Sequence, residues 1–132
     1  MTRINIGVPP RTLTNQHLMA EHREMKRIPN VVGKGRYNLK NVPPQFTLGK
    51  GHVSFFYDKL GYLKERYIEV YNECRSRGLN VQSYLSSWDN VPPELMNSYK
   101  PTQRDIDIVT ERIKDRLANP LAKQKKESGQ NI

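Results

Sequence analysis

Between His52 and Arg77 the residues Val53, Phe56, Leu60, Leu63, Tyr67, Val70 and Cys74 recur in alternating steps of three and four. Side chains so spaced share one stripe of an α-helix, and such a stripe must be covered by the rest of the chain. About seven turns of it, widened by Ile68 and Tyr71, predict a long helix that acts as the spine of the core. Gly78, which accepts left-handed backbone, is the expected C-terminal cap. A long coiled coil is the alternative, but three heptads interrupted by Gly61 favour a globular partner. Cys74 closes the stripe and reads as a small buried hydrophobe rather than a reactive thiol.

Two further helices fit around this one. The first is expected to run from Thr14 or Asn15, either a suitable N-cap, to about Arg27, with Pro29 as its stop. The other opens at Thr102, answered by Asp105 three residues later, and buries Ile106, Val109, Ile113 and Leu117. Residues 30–50, with Gly33, Gly35, Pro43, Pro44 and Gly49, read as an irregular basic loop. Residues 79–101, containing Trp88 and "NVPPELM", read as a long loop or short helical turns. The chain has 132 residues, 36% of them hydrophobic, enough for one core and too few for two. The expectation is an all-α protein, a single compact domain of three main helices with long connecting loops at residues 1–118, then a basic, mobile tail at 119–132.

The net charge of +9 is unevenly placed. Residues 1–50 hold nine Lys and Arg against Glu21 and Glu24, a balance of +7, while residues 51–118 hold ten of each sign. A concentration of cations in the first third argues for a polyanionic partner, and nucleic acid fits best. An anionic membrane surface fits less well, because the basic segment lacks a large apolar face. No apolar run approaches the ~20 residues that span a bilayer, and no signal-peptide core is present, so a cytoplasmic protein is expected. Cys74 is the single cysteine, as suits a reducing compartment. Three histidines and one cysteine without close pairing give no zinc pattern, and no Gly-rich phosphate loop or nucleophile elbow is present. No metal or organic cofactor and no obligate protein partner is expected.

On the first helix, "QHLMAEHREMKRIPN", Leu18, Met25 and Ile28 share an apolar arc. Gln16, His17, Ala20, Arg23, Glu24 and Arg27 fill a second arc about 120° wide. An ordinary solvated face with a Glu–Arg ion pair explains such an arc. So does a binding or catalytic surface.

The segments "MTRIN", "QHLMAEHRE" and "LGKGHVSFFYDKL", in this order, resemble the phage-type endonuclease V family, pyrimidine-dimer DNA glycosylases with abasic-site lyase activity. The resemblance extends from Met1 to about Val81, and beyond Gln82 only the last helix is loosely similar. It implies removal of Met1 and attack by the α-amine of Thr2 on the sugar C1′, which expels the base and leaves an imine between protein and DNA. Such an amine has a reference pKa near ~7.7 to 8.0, and the cations Arg3, Arg23 and Arg27 would depress it. Glu24 matches the family's catalytic carboxylate, which would stabilise the developing sugar cation and manage proton transfers. Arg3, Gln16, His17, Arg23 and Arg27 are the implied DNA-binding residues, the arginines through phosphates and His17 through either an orienting hydrogen bond or direct contact. The implied partner is double-stranded DNA, damaged or containing abasic sites.

The chain departs from the family at its end. An aromatic-rich C-terminal cluster is replaced by "KQKKESGQNI", in which Lys123, Lys125 and Lys126 offer only nonspecific phosphate contacts. Trp88 and Tyr99 are the candidates to replace that cluster, and Trp88 equally suits a core plug. The resemblance thus implies lyase chemistry more strongly than it implies pyrimidine dimers as the lesion. The alternatives are a glycosylase/lyase for another base lesion, a non-catalytic DNA-binding protein on this scaffold, and an RNA-associated protein.

Overall fold

The computed structural model describes residues 3–118, an all-α arrangement with helices α1 (Asn15–Met25), α2 (Arg27–Gly33), α3 (Leu60–Ser76) and α4 (Gln103–Ala118). Short 3-10 turns punctuate the connections, and no strand occurs among the described residues. The expected tail at 119–132 lies outside them, as do Met1 and Thr2.

The spine is α3, which buries Leu60, Leu63, Tyr67, Val70 and Cys74 as its spacing predicts. Burial raises the Cys74 thiol above its ordinary value, so the thiol stays protonated and inert. Gly78 takes φ +79°, Leu79 N–H donates to the Cys74 carbonyl at 2.9 Å, and Gly78 N–H donates to the Arg75 carbonyl at 3.0 Å. These two bonds form the expected left-handed cap.

The start of α3 differs from the expectation. The helix begins at Leu60, not His52, because Lys59 leaves helical backbone at φ −131°, ψ 38°. Its ammonium is tied to the Phe55 carbonyl at 3.0 Å and to Asp58 at 2.8 Å. Phe56 is still buried and Val53 half-buried, from turns rather than from a continuous helix. Two of the first groups of α3 find partners in the 79–101 loop: Tyr62 N–H donates to the Asn97 carbonyl, and the Leu60 carbonyl accepts from Trp88 Nε1–H. Gly61 permits this approach, since a Cβ there would stand 2.6 Å from the Met96 carbonyl oxygen. Trp88 is therefore a core plug, buried against Tyr67.

Thr14 is the cap of α1, its hydroxyl oxygen accepting from His17 N–H at 3.2 Å. Contrary to the expected stop at Pro29, the helical path is reset there rather than ended. Its ring cannot bond to the Met25 carbonyl and crowds it, so the chain breaks at Lys26 and resumes as α2, with Pro29 in a first turn that needs no donor. Residues 30–33, expected in the loop, thus belong to α2.

The Thr102–Asp105 box closes as expected. Asp105 N–H donates to the Thr102 hydroxyl at 3.1 Å, and Thr102 N–H donates to the Asp105 carboxylate at 3.0 Å. Of the stripe on α4, Val109 is fully buried, Ile106 and Ile113 are half-buried, and Leu117 is 56% exposed, its turn projecting into solvent. The main helix packing is α1 on α3. The N-terminal segment runs beneath α4, and at Gly7, φ +75°, a Cβ would stand 2.5 Å from Ile106 Cγ1.

Candidate active site

Residues 4–8 are held by a series of buried polar contacts. Ile4, Asn5, Ile6 and Val8 are all buried, so their backbone groups need partners inside the protein. Ile4 N–H donates to His52 Nε2 at 2.9 Å. Asn5 donates to Glu21 twice, from its N–H at 3.2 Å and from Nδ2 at 2.9 Å. Gly7 N–H donates to the Tyr62 hydroxyl at 3.3 Å, and the Val8 carbonyl accepts from Arg66 Nη1.

Glu21 and Arg66 are the centre of this frame. Arg66 reaches Glu21 through Nε at 2.9 Å and Nη2 at 3.0 Å, a two-pronged pair sealed from water. Burial works against the Arg66 charge, and Glu21 more than offsets it, raising the guanidinium above its ordinary value. Neither residue was legible as important from the helix pattern alone. The signal existed: Glu21 falls within the apolar arc of α1, about 60° from Leu18, where a carboxylate requires a buried cation.

One turn further along α1, Glu24 stands at the surface with its side chain 14% exposed. Arg23 Nε lies 3.3 Å from Oε2 and Arg27 Nη1 lies 3.1 Å from Oε1, while both arginine side chains are about 60% exposed. The Arg27 contact is ionic without hydrogen-bond alignment, and among the described residues no donor is aligned on the buried Oε1. The carboxylate thus sits between two exposed cations, with one buried oxygen that lacks an aligned donor. Gln16 is exposed and His17 half-buried on the same side of α1. The structure brings Arg23, Glu24 and Arg27 into contact, and Thr2 lies outside the described residues.

Arg3 belongs to a different group of cations. Burial lowers its guanidinium below the ordinary value, and the charge of Arg116 on α4 lowers it further. Arg112 is pushed down to about 10, first by burial and then by Arg3 and Arg116. Its Nη2 donates to the Asn5 side-chain carbonyl, while its buried Nη1 has no partner among the described residues. Three arginines gathered against their own repulsion suit an anionic ligand. Arg112 and Arg116 were missed in the sequence because residues 51–118 are neutral overall, and a count cannot show that α4 turns two cations toward Arg3.

A model of the pyrimidine dimer DNA glycosylase family matches residues 1–87, which include the framed N-terminal segment, all of α1 and all of α3. The chain belongs to that family. It is accordingly a DNA-repair enzyme, a pyrimidine dimer DNA glycosylase and abasic-site lyase, and its partner is DNA. In this glycosylase the two aromatics weighed as substitutes for a C-terminal cluster are engaged inside the fold. Trp88 is buried, and the half-buried Tyr99 donates its hydroxyl to Asp105. No helix among the glycosylase's described residues is long and apolar enough to cross a membrane.

Proposed function

We propose that this glycosylase acts on pyrimidine dimers in duplex DNA through the α-amine of Thr2, with Glu24 as the catalytic carboxylate and Arg3, Gln16, His17, Arg23 and Arg27 as its DNA contacts. Arg112 and Arg116 join Arg3 in holding phosphates. The observation that carries this reading is the buried frame around residues 4–8. Asn5 is fixed to Glu21, one helical turn before Glu24. Ile4 is held as well, so only the two residues from Ile4 to Thr2, a reach of at most about 7 Å, carry the amine toward the Glu24 face of α1 in this reading.

In the reaction the amine lone pair forms a bond to C1′ as the glycosidic bond breaks and its electron pair leaves with the base. Opening of the C1′–O4′ bond, with a proton delivered to O4′, gives the imine. Loss of a C2′ proton then expels the 3′ phosphate. Glu24, between Arg23 and Arg27, stabilises the positive charge at the sugar and moves these protons. Lys26, the nearest rival nucleophile in sequence, has its ammonium 3.7 Å from the centre of the Tyr84 ring, engaged there rather than free to attack. The working location is the cell interior, with no obligate protein partner.

Borohydride trapping tests the reading. With Met1 removed, reduction of the imine C=N should join the protein to abasic duplex, and peptide mapping should place the adduct on Thr2. Retaining Met1 moves the terminal amine about 3.8 Å, well beyond the ~1 Å misplacement that costs about a hundredfold. That form should bind DNA without cross-linking. An adduct on Lys26, or equal cross-linking by the extended form, would refute the assignment.

A further inference from the structure

The frame around residues 4–8 contains one group that neither the charge pattern nor the polar arc of α1 accounts for. His52, at the turn before α3, is 97% buried and bonded through both ring nitrogens. Nδ1 lies 2.9 Å from the Thr47 carbonyl oxygen, which only accepts, so Nδ1 carries the proton. Nε2 lies 2.9 Å from Ile4 N, which only donates, so Nε2 presents its lone pair. The neutral Nδ1–H tautomer is therefore the single form that satisfies both neighbours. Edge-to-face contacts with Phe46 and Phe56 fix the plane of the ring.

Ile4 is two residues from Thr2, and its N–H is held by His52 inside the fold. From these contacts we infer that His52 is a positioning residue for the terminal amine, holding the chain in register through the Ile4 N–H, and that protonation of His52 releases this hold. A second proton on the ring must sit on Nε2 and would confront the Ile4 N–H, donor against donor. The N-terminal segment would then have to shift by the fraction of an ångström that separates productive from unproductive attack. The charges around the ring come from three elements. Arg3 on the N-terminal segment and Arg112 on α4 oppose its protonation, and Glu21 on α1 favours it. Burial is the largest influence and also opposes it, so the ring is neutral at pH 7 and the hold is engaged.

This inference rests on the amine reading, and the experiment separates the two. Full-length protein with its processed N-terminus verified by mass is trapped on abasic duplex with cyanoborohydride between pH 5 and pH 8, alongside His52→Gln and His52→Leu. Gln places a carbonyl oxygen near the position of Nε2 and does not titrate, whereas Leu offers no acceptor. His52→Leu is expected to trap at least tenfold more slowly than wild type at pH 7.5 with a DNA Kd within about twofold. His52→Gln should recover to within about threefold. The wild-type rate should fall with one proton as the amine titrates and more steeply at lower pH, once the buried imidazole, whose value lies below that of a free histidine, adds a second proton, while His52→Gln keeps the single slope throughout. No adduct on Thr2 in the wild type would overturn the amine reading itself. With that adduct present, wild-type trapping by His52→Leu, or the same two-proton limb in His52→Gln, would overturn the role of His52 alone. Should His52→Leu fail to fold, the pH profiles of wild type and His52→Gln decide the matter.

Discussion

Replacing Glu21 by Gln tests whether the N-terminal frame depends on a buried charge. Glu21 accepts four bonds, from Asn5 N–H and Nδ2 and from Arg66 Nε and Nη2, at 2.9 to 3.2 Å. Every one of those partners is a donor, so an amide NH2 in place of either oxygen faces a donor it cannot satisfy. The change also leaves the Arg66 guanidinium, 3% exposed, without its counter-charge. Breaking a buried pair by removing one partner costs about 3 to 5 kcal/mol. For a domain of this length ~1 kcal/mol moves Tm by about 4 °C, so Glu21→Gln should melt about 12 to 20 °C below wild type by far-UV circular dichroism at pH 7. In a double-mutant cycle with Arg66→Met, the two losses should fall short of additivity by about 2 kcal/mol or more, since the second change removes the orphaned charge. A single-variant shift under about 3 °C, or additive losses, would refute the claim that this pair organises the frame.

Glu24→Gln should bind duplex DNA at least as well as wild type, because a negative charge beside phosphates is lost, yet strand cleavage should disappear; full cleavage in a nicking assay would remove Glu24 from the chemistry. The slope of log K against log salt should be roughly −4 to −5 for about four to six neutralised phosphates, and Arg23→Ala should flatten it by about one, as read by titrations at several salt concentrations. Gly61→Ala should lower Tm despite the better helix propensity of Ala, since the added methyl meets the Met96 carbonyl at 2.6 Å, with a net loss of about 1 to 3 kcal/mol in urea denaturation. His22 and His52 are both lowered, chiefly by burial, so their neutral forms belong to the native state. The unfolded chain then takes up more protons below its ordinary His value of about 6.5, and stability should decline from there toward the lower folded values while staying level above. Substituting both residues should flatten that decline in urea titrations at pH 5 to 7.

The apolar stripe of α3 and both capping predictions on α3 and α4 were legible because they depend on spacing and on local backbone chemistry, which a sequence states directly. The errors occurred where a local signal had two outcomes. Pro29 forbids a bond to Met25 in any helix, but whether the chain stops or restarts depends on what lies beyond, and α2 restarts because Ile28 and Val32 find a buried face. The spacing of Val53 and Phe56 continued the stripe of α3 in register, yet the ties of Lys59 to Phe55 and Asp58 fold that stretch into turns. Period alone does not distinguish a helix from tight turns that bury the same side chains.

The candidate site was half legible for a related reason. Exposed cations and Glu24 announce themselves through composition and a helical wheel, since a surface charge needs no partner to be interpreted. Glu21, Arg66, His52 and Arg112 become informative only through one another, and the partners are separated by 45 residues for Glu21 and Arg66 and 48 for Ile4 and His52. A duplex held, as proposed, by exposed arginines tolerates adjustment of a few ångströms, because phosphate attraction falls slowly with distance. A nucleophile tolerates far less. An enzyme whose proposed nucleophile is the end of its own chain must therefore fix that end from within, which places the exacting residues in the interior of the fold and leaves the forgiving ones at its surface.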